Sequence, residues 1–306
     1  MKNKKILKNV NWFTVSTFIF LVMYSILTVV LLGWGILTAF KDKWDLADNV
    51  FGLPKKWMFS NFSDVMGGLT VPITKTNIIM FNGIPRKLSQ IYNVGFFEMF
   101  YNSLVYTLFG SFIASIGPVV MGYAIGKFDY KFNKFLTGYI VFSMSFTLVG
   151  GGPASIDFRK FLGLYDNMWG ESLLTFGWCS INTLMYAGIF GGVSKEYHEA
   201  AWLDGANELT IMLKIMLPFA LNLYGTFFVI RIIGAWNTYG EVLMYVPSHP
   251  TISYATYLMS VSKDASLADT PHRIATAVLM LVPTTAVFVV FRNKFIKNTS
   301  IGGVKG

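Results

Sequence analysis

The most constraining feature of this sequence is a series of long runs without charged side chains, the first of which covers residues 9–40. A transmembrane helix needs about 20 mostly apolar residues, so this run predicts a span that tilts or projects from the bilayer. A secretory signal peptide would have an apolar core of only about 7–15 residues, followed by a small-residue cleavage site. No such site follows, and we therefore interpret the run as a retained transmembrane helix.

Further apolar runs follow along the chain, at residues 99–126, 135–156, 172–194, about 215–236 and 274–291. Of the six runs, only the fifth contains a charged residue, Arg231. Only 13% of the residues are charged, whereas a soluble domain has about 25% charged residues. The runs predict an all-α, polytopic membrane protein with six transmembrane helices. Residues 150–153 (Gly-Gly-Gly-Pro) interrupt the third run, which indicates either a helix terminus or a flexible backbone that lines a substrate path.

The charge distribution predicts the orientation of the chain. The net charge is +9, and Lys and Arg residues concentrate in the cytoplasmic loops of membrane proteins. With both termini in the cytoplasm, these residues are about twice as dense in the cytoplasmic segments as in the external ones. The loop at residues 192–214 is then cytoplasmic.

The sequence carries no signature of catalysis or cofactor binding. No Walker lysine motif occurs, so we expect no ATP hydrolysis by this chain itself. His198, His249 and His272 lie on separate loops without partners at metal-ligand spacing, so no metal site is predicted. Cys179 lies in an apolar run, which is typical of a small buried hydrophobe. The sequence has no nucleophile motif that would indicate an enzyme. It also has no dense basic and aromatic tract that would indicate a nucleic-acid-binding protein.

Residues 195–218 form a sizeable polar segment between apolar runs. Ser194 is a suitable cap for a first helix, and Gly205 can adopt the left-handed conformation that ends one. Asn207 can then cap a second helix, which continues as an apolar run. The pattern predicts a helix, a turn and a second helix.

The order of residues in this segment resembles the EAA loop of permease subunits from ATP-binding-cassette (ABC) importers. The matching elements are Glu199-Ala200-Ala201, Asp204-Gly205-Ala206 and Leu217-Pro218. In that family the loop is a cytoplasmic coupling helix that sits in a cleft of the ATPase subunit. The resemblance therefore implies coupling roles for Glu199, Ala200, Ala201, Asp204, Gly205 and Ala206. An ordinary amphipathic connector between two membrane helices is the alternative interpretation.

Other segments resemble carbohydrate permeases of the same class, of the maltose and oligosaccharide type. Residues 51–66, 270–274 and the glycine-rich tail at 295–306 match the family's pattern, although Asn298 replaces a glycine. Trp236-Asn237-Thr238-Tyr239 resembles a Trp-Asn-Asp-Phe-like motif, but Thr238 replaces the acid, so no role of a carboxylate carries over. Because aromatic rings suit sugar faces, Trp236 and Tyr239 are substrate-path candidates, with Asn237 as a hydrogen-bonding partner.

The resemblance implies a type I ABC importer permease fold in a bacterial cell membrane. Residues 1–98 would provide an N-terminal transmembrane helix and an extracellular loop, and residues 99–306 a core five-helix domain with its coupling helix at about 195–214. The implied partners are a homologous permease subunit, an ABC ATPase, an extracellular solute-binding protein, the lipid bilayer and a sugar substrate, with no nucleic acid and no cofactor.

Some questions stay open at this level. The substrate could be another small polar solute, such as a polyamine or glycerol phosphate, or the chain could be an ATP-independent secondary transporter. The segment at residues 67–93 is an insertion in our favoured interpretation, and an accessory surface for a binding protein in the other. Arg231 lies in the fifth run, where it either snorkels to the outer interface or serves a pathway or a partner.

Overall fold

The computed structural model describes residues 11–81, 84–146, 151–261 and 269–298. The chain divides into two compact units. One unit contains the described residues up to Gly68 together with Met259–Leu279, and the other contains Leu69–Leu258 together with the described residues from Met280 onward.

The first unit begins with helix α1 (Trp12–Ala39) and continues with the short helices α2 (Lys43–Asp48) and α3 (Ser60–Gly68). The amide of Asn61 donates hydrogen bonds to the carbonyls of Ala39 and Lys41 at 2.9 and 2.8 Å. These bonds fold the segment after α1 back onto the end of that helix.

The segment that precedes the next long helix is a β-hairpin. Strands β1 (Thr70–Phe81) and β2 (Ile84–Gly95) pair antiparallel, in a register that runs from Thr70 opposite Gly95 to Phe81 opposite Ile84. Val71, Ile73 and Val94 are buried at the base of the hairpin. The prediction of an all-α chain is therefore wrong here, although the rest of the described chain is mostly helical.

The second unit continues with the following helices: α4 (Phe96–Lys127), α5 (Asn133–Ser145), α6 (Gly151–Phe161), α7 (Met168–Leu174), α8 (Ile181–Gly192), α9 (Lys195–Leu203), α10 (Glu208–Thr210), a π-helical turn (Ile211–Met216), α11 (Leu217–Asn237), α12 (Gly240–Tyr245), α13 (Ile252–Val261) and α14 (Thr270–Asn298). Helices α13 and α14 each contribute residues to both units. Cys179 lies between α7 and α8 and is half-buried.

Four helices of the described chain are long and apolar enough to cross a membrane: Trp12–Ala39, Phe96–Lys127, Glu208–Asn237 and Thr270–Phe291. The predicted third and fourth spans are each divided into two short helices, α5 with α6 and α7 with α8. Pro153 lies in the first turn of α6. Backbone N–H groups in a first turn have no intrahelical acceptor, so the lack of an N–H in proline costs no hydrogen bond there. Residues 147–150, which include the first glycine of the predicted break, lie outside the described residues.

The long helix α4 packs closely against α8 because of small residues. A Cβ added at Gly122 would collide with the side chain of Tyr186, and one at Gly126 would collide with the carbonyl of Ala187. Such close approach is typical of membrane helices with glycine at their contacts. The adjoining core contains Val119, Tyr123, Tyr186, Phe190, Ile211 and Met216, which connect α4 and α8 to the π-helical turn.

Candidate functional site

Helix α9 has the boundaries that its sequence predicts. The hydroxyl of Ser194 accepts a hydrogen bond from the backbone N–H of Glu196 at 3.3 Å. At the other end Gly205 has a φ of 84°. The N–H of Gly205 donates to the carbonyl of Trp202, and the N–H of Ala206 donates to that of Ala201, both at 3.0 Å. These two bonds form a Schellman motif, which requires a left-handed residue at the position of Gly205.

The second helix of the segment begins at the predicted cap and contains a π-helical turn. Asn207 accepts a hydrogen bond from the N–H of Thr210 at 2.8 Å. The π-helical turn, Ile211–Met216, ends just before Pro218. Because proline lacks an N–H and its ring crowds the carbonyl four residues earlier, a locally widened helix accommodates it with less conflict.

The start of α9 is held by the end of α4. The ammonium of Lys127 donates to the carbonyls of Val193 and Ser194 at 2.9 and 3.2 Å. Lys195 forms an ion pair with Asp129 at 2.5 Å. The hydrogen bond from Lys195 lowers the pKa of Asp129, and the same bond raises the pKa of Lys195.

The end of the turn is held to α4 by Glu208. Its carboxylate accepts a hydrogen bond from the hydroxyl of Tyr123 at 3.0 Å and contacts Nε2 of His198 at the same distance. The ring of His198 lies edge-on to that of Phe128, 5.7 Å away. Glu208 thus joins α4, α9 and α10, a role that its place in a first turn did not predict.

The predicted coupling residues occupy different faces of the segment. Ala201 is 7% exposed and packs into the core, whereas Ala200, Glu199 and Asp204 are exposed. Neither Glu199 nor Asp204 has a hydrogen bond to the described residues, whereas Glu208 has two polar contacts. Beside them lie residues that the sequence reasoning did not single out. The exposed fraction is 65% for Trp202 and 79% for Leu203.

The substrate-path candidates cluster at the opposite end of α11. Trp236 is buried, and its Nε1 donates to the carbonyl of Met280 at 3.1 Å, which joins α11 to α14. The amide of Asn237 donates to the carbonyl of Ile233 in the same helix at 2.8 Å. Tyr239 is exposed and stacks on Tyr257, with 4.3 Å between ring centroids. Tyr239 and Asn237 are therefore accessible in this chain, whereas Trp236 is part of its packing.

Comparison with known proteins yields relatives along nearly the whole chain, although no protein-family model matches it. The "Probable ABC transporter permease protein YurM" of Bacillus subtilis is 22% identical and aligns with 95% of this chain and 88% of its own length. The "Arabinooligosaccharides transport system permease protein AraQ" of the same organism is 23% identical over 69% of this chain and 74% of its own length.

A solved structure shares the fold. It is a chain of a bacterial ABC transporter "involved in the import of the acidic polysaccharide alginate", with a TM-score of 0.72 and 22% identity. The match covers 92% of this chain and 95% of that one. Together with the apolar helices and the relatives, this fold establishes a multi-pass membrane protein. Over most of its length the chain is homologous to permease subunits of ABC transporters, and its relatives include carbohydrate permeases.

Proposed function

We propose that the chain forms half of the translocation path of an ATP-driven importer for sugars or oligosaccharides in a bacterial cell membrane. Its relatives include permeases named for arabinooligosaccharides and for polygalacturonan and rhamnogalacturonan. The chain itself is a transport subunit, and a partner ATPase supplies the hydrolysis. A homologous permease subunit would complete the path, and an extracellular solute-binding protein would deliver the sugar.

The proposed topology follows the sequence prediction. Both termini lie in the cytoplasm, residues 1–98 provide a first span with an extracellular loop, and residues 99–306 form the core permease domain. The two short helices at each of the predicted third and fourth spans would together cross the bilayer. Non-helical backbone is tolerated within a membrane where it is covered by protein or lines a water-filled path.

The observation that supports this proposal is the attachment of residues 195–218, the coupling segment, to the rest of the chain. An ordinary connector between two spans would not need attachments at both ends, yet Lys127 and Glu208 fix α9 to the end of α4. The same segment exposes Trp202 and Leu203 to solvent. Large exposed aromatic and aliphatic side chains on a polar loop suit the centre of a protein interface. We propose that this surface docks into the ATPase.

The attachments also suggest how ATP hydrolysis acts on the membrane helices. A docked segment that is tied to α4 would move as a rigid body with that helix when the ATPase domains close. Because α4 packs tightly against α8, the displacement would reach both helices. This motion would switch the path between inward-facing and outward-facing states.

Substitutions at Gly205 test the proposal. Gly205→Asp adds a negative charge to the docking surface, whereas Gly205→Asn adds a side chain of the same size without charge. Both residues tolerate a positive φ better than other non-glycine residues. In proteoliposomes that contain the complete importer, we expect Gly205→Asp to lower ATP-driven uptake of labelled arabinotriose or maltotriose by about tenfold, and Gly205→Asn to retain most of it.

Membrane abundance of the permease is measured in parallel as the control. Uptake that is unimpaired in Gly205→Asp, at equal abundance, would show that this turn does not couple transport to hydrolysis.

A further inference from the structure

Arg231 is a cation in the apolar body of α11. The helix continues from the coupling segment to Asn237, so Arg231 lies more than one turn inside its far end. No ion pair or hydrogen bond to its guanidinium is found among the described residues. An intramembrane cation is costly, and such residues commonly mark substrate pathways.

The direction of the side chain argues against snorkelling to the near interface. Side chains on an α-helix lean toward its N-terminus. The N-terminus of α11 is at the coupling segment, so Arg231 leans away from its nearer helix end. Accordingly, Arg231 lines a small cavity together with Ser115 and Tyr186. Ser115 lies in the interior of α4 and Tyr186 in the interior of α8.

The cavity has the hydrogen-bonding character of an anion site. Its volume is about 40 Å³, and it is a partly open recess on this chain. Half-buried Asn182 also lines it, and the side-chain amide of Asn182 has no hydrogen bond to the described residues. Arg231 and Asn182 together offer several N–H donors, and no carboxylate lines the recess. A guanidinium presents its donors in a planar fork that matches a carboxylate.

Among the described residues, no acid forms an ion pair with this cation. Glu241 accepts a hydrogen bond from Tyr106 at 2.8 Å. Glu171 accepts two hydrogen bonds from Arg159. Neither carboxylate lines the recess, so the guanidinium donors of Arg231 are available to a ligand there.

We propose that Arg231 and Asn182 form a subsite in the translocation path for the carboxylate of an acidic sugar. The transported oligosaccharide would then contain uronate residues. This inference rests on the proposed function, because it needs a sugar that passes along this face of the chain. The recess is too small for a whole sugar ring, so it holds only the anionic group while the ring occupies the open path.

Binding to the assembled permease–ATPase complex in nanodiscs tests the subsite. Saturation-transfer NMR would measure the Kd of trigalacturonate, with maltotriose as a neutral trisaccharide for comparison. We expect Arg231→Gln to weaken trigalacturonate binding about tenfold or more, and Arg231→Lys to weaken it less, because a charge remains without the fork. Maltotriose binding should not change. Lys160→Gln, which removes an exposed cation outside the recess, is the matched control and should leave both affinities unchanged.

Three outcomes would overturn the subsite. The wild-type complex could bind trigalacturonate no better than maltotriose, or Arg231→Gln could bind it as well as the wild type. Alternatively, Arg231→Gln could prevent recovery of the second permease, which would assign the cation to a subunit contact. Uptake separates these failures from failure of the proposed function. A complex that imports trigalacturonate with ATP at a rate that Arg231→Gln does not change upholds the importer and rejects the subsite, whereas a complex that imports neither sugar rejects the importer.

Discussion

The carboxylate of Glu208 lies 3.0 Å from the hydroxyl of Tyr123 and 3.0 Å from Nε2 of His198. One side chain therefore joins the end of a long membrane helix to both sides of the turn at Gly205. A loop held in this way transmits a displacement instead of absorbing it. The contact gives the coupling proposal a specific physical basis.

Removing this contact should uncouple transport from hydrolysis. We expect Tyr123→Phe and Glu208→Ala each to lower the number of sugars imported per ATP, because α4 would no longer follow the loop fully. A hydrogen bond to a charged group contributes about 1.5–3 kcal/mol. The double variant should be no worse than the poorer single variant, since both remove the same bond. Strictly additive losses in parallel uptake and ATPase assays would argue that the two residues act independently.

A second prediction concerns Arg159 and Glu171, which form a bidentate ion pair at 2.6 and 2.9 Å between α6 and α7. Their side chains are only 14% and 3% exposed. Removing one partner leaves a buried, unpaired charge, so Arg159→Met or Glu171→Leu alone should cost about 3–5 kcal/mol of stability. Thermal unfolding in detergent would measure this loss. The double variant should recover much of it, because no charge is then left without a partner.

The acid stability of the protein should depend on Asp166, which lies between α6 and α7. Burial disfavours its charged form, but the hydrogen bond from the N–H of Ser248 at 2.8 Å and the imidazole of His249, 3.7 Å away, outweigh this and lower the pKa of Asp166. A carboxyl with a lowered pKa stabilises the fold fully above its unfolded pKa of about 3.9, and this contribution is lost as pH falls through the folded value. The melting temperature of Asp166→Asn should therefore fall less below pH 4 than that of the wild type. Melting temperatures that fall equally with pH in Asp166→Asn and in the wild type would contradict this assignment.

Shortening the β-hairpin tests whether residues 67–93 are an insertion. Lys75 pairs with Gln90, so their Cα atoms are adjacent across the hairpin and a short turn can replace the part between them. This change keeps the buried base at Val71, Ile73 and Val94. We expect normal membrane abundance and retained uptake. Loss of uptake at normal abundance, with loss of cross-linking to the solute-binding protein, would instead identify the hairpin as a docking surface.

The coupling segment was predictable because its structure is local. Ser194, Gly205 and Asn207 each act through hydrogen bonds to residues a few positions away, so their types reveal the helix ends. The hydrogen bond between Glu208 and Tyr123 joins residues far apart in sequence, and no local sequence pattern predicts it. The same is true of Trp236, whose hydrogen bond to Met280 depends on the packing of two distant helices.

Other features of the fold cannot be predicted from hydropathy alone. The predicted third and fourth spans carry no charge, yet the structure divides each of them, because apolar composition does not determine helix continuity. The hairpin did have a sequence signal. Asn82-Gly83 follows a segment rich in isoleucine and threonine, residues 70–81, and this dipeptide is typical of a two-residue hairpin turn.

The most direct test of the account is a cross-linking measurement at Leu203, the most exposed apolar residue of α9. Cys179→Ala removes the single natural cysteine, and Leu203→Cys then carries a photoreactive thiol reagent. We expect the new thiol to react with a membrane-impermeant maleimide only after cells are opened, and the illuminated complex to yield an adduct with the ATPase subunit. Labelling from outside intact cells, or a complex that hydrolyses ATP yet forms no adduct with its ATPase, would contradict the proposed coupling site.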